Sequence, residues 1–298
     1  MSSGRTFRLN SGHFIPAVGL GTWVARAVEY ALAHGYRHID AAAVHNNENE
    51  VDFLTSKLWN THHKQEDVEE ALDKSLSDLG TNYLDLYLIH WPVAFPKPAE
   101  EGVRFPSDPA DGGTHVIDVP IEETWKALEA LVRKGKVRSI GVSNFTKEKI
   151  TQLLKFAEIP PAVNQIEAHP YLQQPNLLKW SKEQNILLTA YSPLGNNIYG
   201  LPMAIDDAEI IAIANELGKQ PAQRGTAVVP KSVTPSRLAS NFEDFELPGE
   251  TMSRILSLDR KHRYNMPVRL GIDIFGEHHE AALKKARRDW IAVQKQVN

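Results

Sequence analysis

Arg37-His-Ile-Asp-Ala-Ala-Ala-Val-His-Asn-Asn-Glu-Asn-Glu-Val-Asp-Phe-Leu-Thr-Ser-Lys-Leu-Trp-Asn60 contains two short apolar runs. The first closes on a carboxylate, Asp40, and the second on an ammonium, Lys57. On neighbouring strands these two groups would form a buried pair at the strand ends, an arrangement that tunes a proton donor. Between them stand His45 and a very short polar connection.

The same rhythm extends outward. Thr6 to Val18 reads as a hairpin, with Asn10-Ser11-Gly12 at its turn. Val18-Gly-Leu-Gly-Thr-Trp23 reads as a buried strand whose glycines admit a close neighbour. Ala25 to His34 is a helix stopped by Gly35. Downstream, strands are expected at Tyr83–His90, Val137–Ser143, Ala162–Glu167, Ile186–Tyr191 and Thr226–Val229. They alternate with helices at Glu66–Leu79, from Pro120, Lys147–Ala157, Asn176–Glu183 and Ala208–Leu217. Short helices follow around Pro235–Asn241 and Glu250–Leu258, and a last one lies in the tail. There Leu283, Ala286, Trp290 and Ile291 form the apolar stripe, and Lys284, Lys285, Arg287 and Arg288 read as a wetted face. Strand–helix alternation argues for a parallel sheet, and eight strands from Val18 onward close a barrel. The expected fold is α/β, a (β/α)8 TIM barrel with an N-terminal β-hairpin. Residues 91–119, rich in Pro, Gly and Asp, form a long loop of the kind that carries function.

Bulk properties narrow the field. The chain has 298 residues, 42% hydrophobic and 23% charged, with a net charge of −4 and no cysteine. That suits one α/β barrel, gives no basic field for nucleic acid, and excludes disulfide and thiolate chemistry. No window has the ~20 apolar residues of a membrane span. The N-terminus has no apolar run of signal-peptide length, so cytosol is the expected location. His62-His63 and His278-His279 lack the spacing of a zinc site, so no metal is expected.

In barrels of this type, polar residues at the C-terminal ends of the strands build the site. Asp40, Lys57, His90, Ser143, Asn144, Gln165, Tyr191 and Lys231 fall there. Lys231-Ser-Val-Thr-Pro-Ser-Arg237 joins a strand end to a helix start and offers the donors a phosphate needs. No G-x-G-x-x-G follows the first strand, so a doubly wound dinucleotide site is absent.

These segments resemble the aldo-keto reductase family. The likeness spans nearly the whole chain. It rests on Gly19-Leu-Gly-Thr-Trp23, Gly35-Tyr-Arg-His-Ile-Asp40, Thr55-Ser-Lys-Leu-Trp-Asn60, Leu84-Asp-Leu-Tyr-Leu-Ile-His-Trp-Pro92, Gly141-Val-Ser-Asn-Phe145, Asn164-Gln-Ile-Glu167, Tyr191-Ser-Pro-Leu-Gly195 and Pro230-Lys-Ser-Val-Thr-Pro-Ser-Arg237. Arg263-Tyr-Asn and Asp273-Ile-Phe-Gly-Glu277 in the tail resemble the fungal alditol and glycerol dehydrogenase branch.

The resemblance implies a single barrel domain over residues 1–298, with a tail at 259–298. It implies a cytoplasmic monomer that moves a hydride between NADPH and a carbonyl or polyol substrate. Asp40, Lys57 and His90 match catalytic positions, and Trp23, His90 and Trp91 match substrate contacts. Thr22, Asp40, Ser143, Asn144, Gln165, Tyr191, Ser192, Leu194, Lys231, Ser232, Arg237 and Asn241 match the cofactor site, in a pattern that favours NADP.

The chain departs from the family pattern in three respects. His45 stands where the family has its proton-donating tyrosine, and no tyrosine lies between Tyr36 and Tyr83. The chain is short after Trp23, near Val51 and after Gln223. Ser240 replaces a glutamate before Asn241. The second gap leaves only ten residues, Ala43 to Asp52, for the crossover between the second and third barrel strands. That is below the dozen or so a parallel crossover normally takes, and it should expose apolar surface for want of a covering helix. Low or absent activity is the consequence expected. The alternatives are a non-catalytic NADP-binding barrel acting as a sensor or scaffold, and an unstable product of a misassembled gene.

Overall fold

The computed structural model describes residues 4–21, 25–40, 52–100, 102–195, 202–218, 227–230, 232, 234–242, 247–265 and 267–297. Strands β1 (Thr6–Arg8) and β2 (Phe14–Pro16) pair antiparallel around a turn at Gly12, whose φ is +90°. This is the expected hairpin. Its Leu9 and Ile15 are buried against Phe53, Leu86, Leu88 and Val163, so it plugs the N-terminal end of the barrel.

The barrel strands are β3 (Leu20–Gly21), β4 (His38–Asp40), β5 (Phe53–Leu58), β6 (Leu84–Ile89), β7 (Val137–Ser143), β8 (Val163–Glu167), β9 (Leu187–Tyr191) and β10 (Ala227–Val228). Each pairs in parallel with its successor. Closure comes from a parallel bridge between Val18 and Val228, with Gly19 N–H donating to Val228 O and Val228 N–H to Ala17 O, both at 2.8 Å. All six residues of β6 are buried, as expected of a strand covered on both faces. Gly19 is needed at the closure, because a Cβ there would collide with the buried His38 ring.

The covering helices are α1 (Ala25–Ala33), α2 (Gln65–Leu79), α3 (Ile121–Arg133), α4 (Lys147–Leu153), α5 (Pro175–Glu183) and α6 (Ala208–Leu217). After the barrel come α7 (Pro235–Asn241), α8 (Gly249–Leu256) and the tail helix α9 (Glu280–Val297). In α2, Val68, Leu72, Leu76 and Leu79 lie buried on one face, and Gly80 closes the helix at φ +62°. In α3, Trp125, Leu128 and Leu131 are buried, and Val132 is only partly so. Helix α4 stops at Leu153, short of Ala157.

Strands β4 and β5 are parallel neighbours, with His38 opposite Phe53 and Asp40 opposite Thr55. The shortened crossover between them falls on residues 41–51, outside the described residues. The expected exposure of apolar surface does not appear on the flanking strands, since Ile39 is fully buried and Leu54 is 7% exposed. Among the described residues no helix is long and apolar enough to cross a membrane.

Candidate active site

Side chains alternate across a strand, so the parity that turns Asp40 into the barrel also turns His38 inward, and that of Lys57 turns Thr55 and Phe53. Lys57 Nζ donates to Asp40 Oδ1 at 2.5 Å, with the two side chains 10% and 7% exposed. Gln165 Nε2 donates to Asp40 Oδ2 at 3.3 Å, reaching across the barrel from β8. One layer below, His38 Nε2 meets Thr55 Oγ1 at 3.1 Å. Burial pushes the His38 imidazole down to about 4, against the pull of the Asp40 carboxylate, so the ring is neutral at physiological pH.

His90 follows β6 and stands beside Lys57, which pairs with Leu88 two residues earlier. Its ring meets the Trp59 indole edge-on at 5.1 Å and lies near-parallel to Trp91 at 6.4 Å. Burial first, then the positive fields of Lys57 and Arg104 and the neighbouring His63, bring its pKa down to about 3. A neutral imidazole carries one N–H to offer a carbonyl oxygen.

The ends of β7, β8 and β9 form a net. Asn144, held at φ +65°, donates from Nδ2 to His90 O at 3.0 Å and to Ser143 Oγ at 3.1 Å. Its Oδ1 accepts the Tyr191 hydroxyl at 2.6 Å, and Ser143 Oγ donates to Gln165 O at 2.9 Å. Left-handed backbone is tolerated by asparagine, which explains the residue type at this corner. Gln165 Oε1 has no hydrogen-bond partner among the described residues, which leaves an acceptor for the NH2 of a carboxamide. Tyr191 is partly exposed at the end of β9, the neighbour of β8. These residues therefore fit a nicotinamide.

The remaining candidates divide in two. Ser192 (φ +48°) and Leu194 lie in the turn after β9; Leu194 O accepts from Ile205 N–H. Ser232, Arg237 and Asn241 lie between β10 and the end of α7, where Ser232 Oγ accepts from Thr234 N–H at 3.1 Å. Helix α7 is docked by the buried Tyr36, whose hydroxyl donates to Leu238 O at 3.0 Å and whose ring packs on Phe242. Thr22, Trp23, His45 and Lys231 lie outside the described residues. Trp91 is partly exposed and faces Phe275 of the tail, ring centroids 6.4 Å apart.

Sequence reading passed over several groups. Glu167, fully buried, takes His169 Nε2 at 2.9 Å and the backbone N–H groups of Tyr264 and Asn265 at 2.7 and 2.9 Å. Burial pushes its carboxyl up, but these bonds outweigh that and hold it below the usual carboxylate range. The tail is thereby pinned to the end of β8, and the clue was a carboxylate closing an apolar strand. His63 is 3% exposed and pushed by burial to about 4. A cavity of about 290 Å³ opens between the β7–α4 and β8–α5 corners and the tail, lined by Asn144, Gln174, Arg263 and Phe275 among others.

The Aldo/keto reductase family description matches residues 22–200. The chain is 42% identical to the D/L-glyceraldehyde reductase of Hypocrea jecorina, over 95% of this chain and 97% of that protein. The chain belongs to the aldo/keto reductase family. It is also 43% identical to aldo-keto reductase family 1 member A1-A of Danio rerio, over 88% of this chain and 92% of that one. The solved aldose reductase of Schistosoma japonicum superposes with a TM-score of 0.81 at 35% identity, covering 92% of this chain and all of the other. As an aldo-keto reductase the chain is an oxidoreductase, a carbonyl reductase drawing on NAD(P)H. The alignment with the Hypocrea protein runs over 328 positions against 298 residues here, so that relative carries segments this aldo-keto reductase lacks.

Proposed function

We propose that this aldo-keto reductase uses NADPH to reduce small aldehydes, ketones or sugars, and works slowly. In this reading it is a cytoplasmic monomer, one barrel domain over residues 1–298. One observation carries it: the Lys57–Asp40 pair and the neutral His90 stand at adjacent strand ends, beside the net of Ser143, Asn144, Gln165 and Tyr191. NADPH supplies the hydride when bound. Ser143, Asn144 and Gln165 would hold the carboxamide, and Tyr191 would lie against the nicotinamide ring. Ser192 and Leu194 follow the cofactor away from the mouth. Lys231, Ser232, Arg237 and Asn241 take the 2′-phosphate and adenine, which is why NADP is preferred. Trp23 and Trp91 wall the substrate, and Thr22 borders the cofactor.

His90 gives its N–H to the carbonyl oxygen. The proton that completes the alcohol comes from the position of His45, poised by Lys57 and Asp40. At the family's donor position an ammonium beside an imidazole would disfavour its protonated form, which would make His45 a weak donor at pH 7. Loss of general acid catalysis costs roughly 10²–10⁴-fold. The test is NADPH oxidation with glyceraldehyde, comparing the chain with His45→Tyr. We expect slow turnover raised about 10²-fold or more by the phenol. Rapid turnover by the unmodified chain overturns the account of His45. Cofactor binding without turnover in either protein favours a non-catalytic NADP-binding barrel, for which the complete cofactor-side net is the supporting observation.

A further inference from the structure

The basic run on α9 is not uniform. Lys284 pairs with Glu280 and Lys285 with Asp289 along the helix surface, side chains around 60–80% exposed. Arg287 is 20% exposed, and its guanidinium is spent entirely on the rest of the protein. Nε donates to Asp111 Oδ2 at 2.8 Å, and Nη2 to Asp111 Oδ1 at 2.8 Å and Asp108 Oδ2 at 3.3 Å. Nη1 donates to Thr114 O at 2.9 Å and Leu270 O at 3.0 Å. Five bonds match the five N–H donors of the group, and the Asp111 pair is bidentate.

The backbone on both sides is shaped to admit this side chain. A Cβ on Gly113 would lie 2.7 Å from Arg287 Cζ, and one on Gly271, at φ +77°, would lie 3.0 Å from Cδ. The 108–114 turn is preorganised: Asp108 Oδ1 accepts from Ala110 N–H and Asp111 Oδ1 from Gly113 N–H. Arg287 therefore threads between two turns, one in the long loop 91–119 and one in the tail.

Those two segments also supply the wall beside His90. Val93 and Phe95 from the loop and Leu270 and Ile274 from the tail form one buried cluster, with Trp59, Trp91 and Phe275 packed against it. Trp59 joins the loop through its indole N–H, which donates to Arg104 O at 2.9 Å, and meets His90 edge-on.

We infer that Arg287 is a positioning residue for substrate choice: from outside the pocket it sets the separation of loop and tail, and with it the width of the aromatic wall beside His90. The inference rests on the proposed reductase activity. Lysine cannot replace it, because a point ammonium lacks the planar fork that spans two carboxylates and two carbonyls.

The test compares Arg287→Ala, Arg287→Lys and, from the loop side, Asp111→Asn, all in a His45→Tyr background. Steady-state constants are measured for glyceraldehyde and for the bulkier benzaldehyde, together with the NADPH dissociation constant. The expected result for Arg287→Ala is a KM for glyceraldehyde raised about tenfold, with kcat and NADPH affinity within twofold of the parent. The ratio of kcat/KM for glyceraldehyde over benzaldehyde falls about tenfold. Asp111→Asn moves the ratio the same way, and Arg287→Lys restores less than half of it. An unchanged ratio in folded Arg287→Ala and Asp111→Asn overturns the inference. A parent without turnover instead defeats the reductase reading. Tryptic cleavage after Arg104 in the NADPH-saturated proteins then decides the clasp: cleavage is expected to be at least fivefold faster in Arg287→Ala, and equal rates overturn it.

Discussion

The ends of β7, β8 and β9 are tied by side chains, whereas the ends of β4 and β5 are tied by charge. On the first side, Asn144 alone links its neighbour Ser143, the backbone of His90 and the Tyr191 hydroxyl. On the second, Lys57 and Asp40 hold each other with both side chains largely buried. Neutral nets keep their geometry whatever the protonation state nearby. A buried ion pair is worth little net stability but is expensive to break, because the survivor is left charged and desolvated. The cofactor side is thus built to bind, and the donor side to set a proton's affinity. The two functions should separate under mutation.

The largest effect should come from breaking the donor side. Lys57→Met leaves the Asp40 carboxylate buried with Gln165 Nε2 at 3.3 Å. Removing one partner of a buried pair costs about 3–5 kcal/mol, so the melting temperature should fall steeply. Turnover in the His45→Tyr background should drop about 10²-fold or more, because the donor loses its cationic neighbour. Adding Asp40→Asn should recover most of the stability and none of the turnover. Recovery of both would mean that the pair is structural only. NADPH affinity of Lys57→Met should stay near that of the parent, as measured by quenching of tryptophan fluorescence.

Asn144→Asp should do the reverse. Aspartate keeps the left-handed backbone tolerable but loses the Nδ2 donor, and it sets a carboxylate against His90 O and Ser143 Oγ. A loss of about 2 kcal/mol weakens NADPH binding about 30-fold. The melting temperature should fall far less than in Lys57→Met. An unchanged cofactor dissociation constant would remove Asn144 from the cofactor site and erase the contrast between the two sides.

What the sequence disclosed follows the same division. Strand-end residues were legible because an apolar run of fixed period stopped by a polar side chain has one reading in a barrel. Asp40, Lys57, His90, Ser143 and Asn144 were found in that way, and the structure sets Lys57 on Asp40 and Asn144 on Ser143. Contacts between distant segments left no such trace. Arg287 sits in a basic run that reads the same whether its neighbours are water or the carboxylates of Asp108 and Asp111, more than 170 positions earlier. His63 follows another histidine in a polar stretch, and only the tertiary packing that buries it to 3% exposure tells it from a surface residue. Glu167 was noticed as a strand end but not as the anchor of the tail, since its partners Tyr264 and Asn265 donate from their backbone.

The buried histidines give the smallest and most diagnostic effect. His38 lies under the donor pair, His90 beside both regions, and His63 next to His90; burial brings them to about 4, 3 and 4. Each folded pKa lies below the unfolded value of about 6.5, so the unfolded chain binds protons better below that pH. Stability from these groups is complete above pH 6.5 and drains as the pH falls toward the folded values. Between pH 7.5 and 5.5 each should cost about 1 kcal/mol, or about 2–4 °C in melting temperature. His63→Gln should remove about a third of that pH dependence while leaving NADPH binding at pH 7.5 unchanged, because its imidazole bonds neither to the ion pair nor to the net. A pH slope identical to the parent's would show that His63 titrates in the folded protein as freely as in the unfolded one, and that its burial does not hold it neutral.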